Sequence, residues 1–293
     1  MFARVVGQLF GRHYMQVSNS SHLIGNFNSH LRDLVVLFAD EAFYAGDKRH
    51  ESILKTLITE DTMPVEAKGV DVETAPNYIH LIMASNDMHV VPAGADERRY
   101  FVLDVTRGNQ RDTTYFSAIM EQMDNGGREA LLHYLRTYDL GDYEVRDVPP
   151  TEALREQKLL SLTPDEDWWY QRLVSGQLLY DGSDWPPEIM SRLLVEDYVE
   201  HGRRHHVSKR SSETRLGRFL RHVLPNFSTS RRLAEIEVPT GDGWSRRKQM
   251  RALFYKMPTL ADCRTRWEDL HGPAEWPEDS QEELLNDQQN PPF

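Results

Sequence analysis

Cysteine is nearly missing from this chain: 293 residues carry one, Cys263. A single thiol excludes an internal disulfide and a cysteine-rich zinc site, and makes a reducing cytoplasm the default compartment. Long apolar runs are missing too. No stretch approaches the roughly 20 residues needed to span a bilayer, so no membrane association is expected. The N-terminus has no signal-peptide pattern, because Arg4, Gly7, Gln8 and Arg12 interrupt it. There are no internal repeats, and the only low-complexity stretch is the polar tail after Pro277, which reads as disordered.

What is present suits a globular protein with a real core. Hydrophobic residues make up 39% and charged residues 27%, and the length allows one large domain or two smaller ones. The formal net charge of −12 argues against nucleic acid as a partner, but its distribution argues the other way. From Arg203 to Arg266 run Arg204, Lys209, Arg210, Arg215, Arg218, Arg221, Arg231, Arg232, Arg246, Arg247, Lys248, Arg251, Lys256 and Arg264, against few acids. After Asp269 the tail carries only acids. The chain is an acidic body, a basic C-terminal module and an acidic tail.

The organising stretch is Leu34-Val35-Val36-Leu37-Phe38-Ala39-Asp40-Glu41. Its apolar residues do not alternate, which predicts a strand buried on both faces, as in a parallel sheet covered by helices. It ends in two adjacent carboxylates. Burying such groups is costly, so they mark either a Walker B site, with Asp40 for Mg²⁺ and Glu41 for the attacking water, or a core strand that turns polar as it meets solvent.

In chain order, helices are predicted at Phe2 to Phe10, with Val5, Val6, Leu9 and Phe10 on one face, and at Ser21 to Arg32. A strand lies between them at His13 to Val17. Asp47 is a candidate N-cap for a helix with Ile53, Leu54, Leu57 and Ile58 as its stripe. Thr62 to Pro76 suggests a hairpin around Lys68-Gly69. Tyr78 to Ala84 and Tyr100 to Val105 are expected to be further buried strands, followed by helices at Asp112 to Met123 and Gly127 to Tyr138. That order indicates an α/β core with a mostly parallel sheet.

Pro149-Pro150 marks a boundary, and helices at Thr151 to Ser161 and Pro164 to Gly176 bridge to the next unit. There, helices are expected at Pro187 to His201, Ser211 to Val223 and Thr259 to Leu270. A hairpin turns at Thr240-Gly241-Asp242-Gly243. On Ser211 to Val223, Leu216, Phe219, Leu220 and Val223 face inward, while Arg215, Arg218 and Arg221 face outward as candidate DNA contacts. Helix, basic helix, basic hairpin is the order of a winged helix-turn-helix. His201, His205 and His206 read as basic surface rather than a metal site, and Trp168-Trp169-Tyr170 as a buried interdomain contact. Asn125-Gly126-Gly127 reads as a helix separator.

In open α/β sheets, ligands bind beyond the carboxyl ends of the strands. Asp40-Glu41 and Asn86 both stand at such ends, and Arg98-Arg99 follows shortly. Together with Leu57-Ile58-Thr59-Glu60, Glu66-Ala67-Lys68-Gly69, Pro76-Asn77-Tyr78, Met83-Ala84-Ser85-Asn86 and Asp96-Glu97-Arg98-Arg99-Tyr100-Phe101, the first strand's motif resembles a superfamily 3 helicase. The kind is that attached to phage and mobile-element primase–polymerases. The match covers roughly residues 1 to 150, and residues 185 onward resemble the winged-helix-like tail more loosely.

The resemblance implies an AAA+-like P-loop NTPase core at 1–150, a helical linker at 151–184, a winged-helix-like domain at 185–272 and an acidic tail at 273–293. It implies ATP and Mg²⁺ as cofactors, with Asp40 as the Mg²⁺ and nucleotide ligand and Glu41 as the catalytic acid. Asn86 would be the sensor in contact with nucleotide, and Arg98 or Arg99 the arginine finger. Lys68 would grip single-stranded DNA in the pore of a homo-hexameric ring, beside an upstream primase–polymerase or a separate primase, in a phage or bacterial host.

The sequence departs from the family in one respect. No Gly-rich loop ending in Lys-Ser/Thr is present, and the chain opens inside the helix that follows that loop. A chain truncated before its first strand and Walker A, binding ATP poorly, is therefore expected. The leading expectation is an ATP-dependent DNA helicase module. A non-enzymatic fragment that binds DNA through its basic C-terminal unit, and an ATPase-like scaffold that moves no DNA, are the alternatives.

Overall fold

The computed structural model describes residues 1–19, 23, 27–43, 48–145, 147–182, 184–205, 213–239 and 245–277. Two compact units divide the chain, Met1–Ser161 and Leu162–Phe293. The expected N-cap Asp47, the turn at 240–243, the tail beyond 277, and Lys209, Arg210 and His206 lie outside the described residues, as do residues 21, 22 and 24–26 of the helix expected at 21–32. Of that last stretch, a 3-10 turn at Ser29–Leu31 is seen.

The first unit is built on a three-stranded parallel sheet. Its strands are β1 (Tyr14–Val17), β2 (Val36–Asp40) and β5 (His80–Ala84), in the order β1-β2-β5. The central β2 has Val36, Leu37, Phe38 and Ala39 buried, as its unbroken apolar run requires. Helix α1 (Phe2–Gln8) buries Ala3, Val5 and Gly7, whereas Phe2 and Phe10 are exposed. The buried face is thus shifted from the expected Val5-Val6-Leu9-Phe10 stripe, because Gly7 sits directly on the Tyr14 ring: a Cβ there would lie 2.2 Å from it. Helix α2 (Lys48–Thr59) covers the sheet with Leu54 and Leu57. Asn77 ends it by donating to the carbonyls of Leu57 and Glu60 at 3.0 and 2.8 Å.

Strands β3 (Thr62–Val65) and β4 (Glu73–Pro76) form the expected antiparallel hairpin, with Met63, Val65 and Ala75 turned into the core. Asn28 anchors it, donating to Pro64 O and accepting from Glu66 N, each at 2.8 Å.

Two strand expectations change. The β5 strand is half-exposed rather than buried, with His80 and Ala84 open, because among the described residues only β2 pairs with it. Residues 100–105 form no strand. Tyr100 is buried, but Phe101, Leu103 and Val105 are exposed, so the stretch is an extended segment whose backbone joins no ladder. Helices α3 (Thr113–Gln122) and α4 (Arg128–Thr137) form as expected, separated at Asn125-Gly126, where Gly126 has φ +92°. Neither buries a residue. Helix α5 (Glu152–Leu160) belongs to this unit, with Leu154 and Gln157 buried.

The second unit runs α6 (Pro164–Ser175), β6 (Glu188–Met190), α7 (Ser191–Arg204), α8 (Glu213–Val223), β7 (Ser228–Pro239), β8 (Ser245–Lys256) and α9 (Leu260–His271). Its antiparallel sheet has the order β6-β8-β7. The helix expected from Pro187 starts only at Ser191, because Glu188, Ile189 and Met190 instead pair with Lys256, Tyr255 and Phe254. Thr163 and Glu166 close a capping box at the start of α6. Trp168, Trp169, Leu173, Leu194, Leu216, Leu220, Cys263 and Trp267 fill the core. Trp168 and Trp169 are therefore interior to this unit.

Inside this core Arg172 and Asp197, 7% and 9% exposed, face each other at 3.6 Å. Asp197 also accepts from Trp168 Nε1 at 2.8 Å and from the Tyr180 amide at 2.7 Å.

Candidate functional site

Because β1, β2 and β5 are parallel and in register at Val17↔Ala39 and Asp40↔Ala84, their carboxyl ends share one edge. The structure brings Asp40, Glu41 and Asn86 together there. Asn86 Nδ2 donates to Glu41 Oε1, and the Glu41 amide donates to Ala84 O at 2.8 Å. Glu41 adopts φ +57°, a left-handed conformation that costs a non-glycine residue about 1–2 kcal/mol. That backbone turn is what holds the second carboxylate beside Asn86.

Asp40 is a third exposed and accepts from Gln16 Nε2 at 2.8 Å, with the Arg4 guanidinium 3.6 Å away. Gln16 and Arg4 were not singled out from the sequence. Gln16 is opposite Phe38 in the register, two residues before Asp40 and so on its face, a relation that only the strand pairing discloses.

Arg98 and Arg99, left undivided by the sequence, take different roles. Arg99 is held by Glu97, itself 7% exposed, with Nη1 at 2.9 Å from the carboxylate, and its Nε donates to Thr59 Oγ1 at 3.2 Å. Arg98 is exposed, and no described residue pairs with its side chain. Buried Gln157 on α5 fixes the loop leading to them, donating to Met88 O at 2.8 Å and accepting from Val90 N at 2.7 Å. Lys158 binds Ala95 O at 2.7 Å. Ser85, Asn86, Arg98 and Arg99 line an open cleft of about 1770 Å³. Asp40 and Glu41 are not among its lining residues.

Lys68 lies on the exposed loop between β3 and β4, beside Gly69 at φ +79°. In the second unit Arg218 and Arg221 are exposed on α8. Arg215 is a third exposed and tied to Asp165 at 2.7 Å, and that carboxylate raises its pKa. His201 is largely buried, 9% exposed at its side chain, which corrects its reading as basic surface.

The family of unknown function DUF5906 matches residues 1–99. No curated protein matches. Among solved structures, the C-terminal region (305–718) of NrS-1 in its apo state is similar, with TM-score 0.57, 16% identity, and 86% of this chain covered. An A-form apo structure of the same region gives TM-score 0.56 and 13% identity over 87% of this chain. In both cases this chain spans 62% of the solved chain. The likeness is one of fold: a mixed α/β protein with a parallel sheet. Among the described residues no helix is long and apolar enough to cross a membrane.

Proposed function

We propose that this chain is a helicase-like module of a phage or mobile-element replication protein. Its first unit would be a superfamily 3 type P-loop ATPase core and its second a winged-helix DNA-binding module. One observation carries the reading: Asp40, Glu41 and Asn86 converge at the carboxyl edge of a parallel sheet, with Glu41 in a strained backbone that keeps its carboxylate against Asn86. Strain of this kind clusters at functional sites. The fold shared with the NrS-1 C-terminal region is consistent with it. Arg98 is the better finger candidate, because Glu97 and Thr59 already occupy Arg99. The winged-helix reading is supported by the order α6, β6, α7, α8, β7, β8 and the sheet order β6-β8-β7.

The site fits Mg²⁺·ATP in part. Mg²⁺ binds through one or two carboxylates and keeps several waters, which Asp40 and Glu41 can supply. The phosphate side is not met, since the sequence holds no Gly-rich loop ending in Lys-Ser/Thr, and the cation beside Asp40 is Arg4. Bound Mg²⁺ would neutralise phosphate charge. Of the chain's own groups, Asp40 would hold the ion's water shell, Glu41 would take a proton from water, and Asn86 would keep Glu41 oriented. Single-stranded DNA at Lys68, a hexameric ring and a primase partner belong to the same proposal.

The test uses Mn²⁺ as a paramagnetic substitute for Mg²⁺ and needs no turnover. Asp40→Asn is expected to abolish Mn²⁺ binding at this edge. Where the chain hydrolyses ATP, Glu41→Gln should stop hydrolysis while leaving nucleotide binding intact. Unchanged Mn²⁺ binding in Asp40→Asn, or wild-type turnover in Glu41→Gln, removes the assignment.

A second reading, DNA binding without ATP chemistry, is favoured by the exposed cations of the second unit. Arg218 and Arg221 on α8, and Arg231, Arg246, Lys248 and Arg251 on the hairpin, all face solvent. Arg218→Ala with Arg221→Ala should weaken DNA binding and lower its salt slope by roughly 0.7–0.9 for each phosphate no longer neutralised. Arg215→Ala, which breaks the tie to Asp165, should lower stability instead and leave the slope nearly unchanged. An unaltered slope in the double variant would assign those arginines to a protein surface.

A further inference from the structure

The second unit contains a cluster that the proposed function does not use. Asp167 stands in the first turn of α6, while His201 and His205 stand one turn apart at the end of α7. Their ligand atoms all lie within 4.8 Å of one another. His201 Nε2 is 3.0 Å from Asp167 Oδ2, and the two imidazoles stack with centroids 4.2 Å apart.

We propose that Asp167, His201 and His205 form a binding site for a single divalent transition-metal ion, zinc by preference, that ties the start of α6 to the end of α7. Three facts support the assignment. The donor set is two imidazoles and a carboxylate, the combination that suits zinc, with a fourth position open to water. Histidines at i and i+4 on a helix project from the same face, so α7 presents both rings to one point. The geometry is also close to metal-ready. Ligand atoms on a tetrahedral zinc at ~2.0–2.1 Å stand about 3.3 Å apart, so an ion replacing the proton between His201 and Asp167 needs them to part by only a few tenths of an ångström. His205 is exposed, and turning its ring out of the stack with His201 closes the remaining gap.

The surroundings also suit a cation. Asp167 supplies a carboxylate that is only a third exposed. Of the neighbouring cations, Arg203 and Arg204 both pair with Glu200 at 3.1 Å, which offsets one of their two charges. The sequence offered the two histidines without an acid, because Asp167 lies on a different helix and only the packing of α6 on α7 brings it in.

The experiment uses the untagged full-length chain, stripped of metal with a chelator. Zn²⁺ binding is measured by calorimetry, and Co²⁺ replaces it to read geometry from visible absorption. The expected result is one ion per chain at micromolar affinity or tighter, a Co²⁺ spectrum of tetrahedral type, and a Zn²⁺-dependent rise in the melting temperature reported by tryptophan fluorescence. His205→Ala removes an exposed ring outside the core and should leave the fold intact, as circular dichroism would verify. Affinity should fall about tenfold or more in His205→Ala and in Asp167→Asn, and stay unchanged in His222→Ala. Binding weaker than millimolar, or binding that neither His205→Ala nor Asp167→Asn alters, overturns the site and leaves only the Asp167–His201 hydrogen bond.

Discussion

Asp197→Asn tests whether the second unit depends on a buried charge. The carboxylate accepts from two donors, Trp168 Nε1 and the Tyr180 amide, and faces the Arg172 guanidinium at 3.6 Å. An asparagine of the same shape has one acceptor oxygen, so one of the Trp168 and Tyr180 N–H groups would face its NH₂ group. Arg172 would lose its counter-charge while 7% exposed. At 3.6 Å the attraction is worth about 4–5 kcal/mol at an effective dielectric of about 20. Removing one partner of a buried pair typically costs about 3–5 kcal/mol, because the other charge stays uncompensated. All six tryptophans lie between positions 168 and 276, so intrinsic fluorescence during urea unfolding reports on this unit alone. The expected loss is about 3–5 kcal/mol, and adding Arg172→Met should recover part of it, a coupling that the double-mutant cycle measures. A loss below about 0.5 kcal/mol, the range of ordinary surface substitutions, would refute the idea that the charge is buried and needed.

Two further perturbations follow from contacts in each unit. Gly7→Ala raises helix propensity by about 1 kcal/mol, but its methyl would meet the Tyr14 ring at 2.2 Å, an overpacking that costs about 1–3 kcal/mol. The net should be a loosened α1 and faster hydrogen exchange along β1, and unchanged exchange would mean that the ring moves aside freely. Glu166 has its pKa lowered to about 2: burial opposes the shift, and His271, 3.6 Å away, together with Thr163 outweighs it. A depressed carboxylate contributes stability above its unfolded value of about 4.3, and that contribution disappears as pH falls toward about 2. After screening for its partial exposure, the wild type should exceed Glu166→Gln by about 1–2 kcal/mol at pH 6. The gap should close in acid titration toward pH 2, and a gap independent of pH would contradict the electrostatic origin.

How much of this was legible in advance depends on the range of the interactions. The β2 strand and its terminal Asp40-Glu41 were legible because a buried parallel strand writes its environment into consecutive residues. The hairpin at 62–76 and helices α2, α3, α4, α8 and α9 were legible for the same local reason. Residues 100–105 were misleading, since Tyr100 and Val102 pack inward with apolar neighbours that face solvent, and no local pattern reveals whether a ladder partner exists. The short β6 was absorbed into a helix because three residues carry too little periodicity, and its identity rests on β8, more than fifty residues later. At the candidate site, Asp40, Glu41, Asn86 and the arginine pair were visible as motifs. Their supporting residues were not: Gln16 depends on strand register, Glu97 on burial, and Gln157 on a helix more than sixty residues beyond the loop it fixes.

Cys263 sits fully enclosed in the second unit's core, and burial, with the neighbouring Asp262 charge adding to it, pushes its thiol up to about 12. It is therefore almost wholly protonated under the conditions of maleimide or iodoacetamide chemistry, and reagents cannot reach it. The wild-type chain behaves as a thiol-silent background. A cysteine introduced at exposed Lys68 or Arg218 becomes the single reactive position without any prior removal of Cys263. Spin labels or fluorophores can then be placed one at a time in each unit, so that electron resonance or energy transfer follows the hairpin loop or α8 while DNA is added.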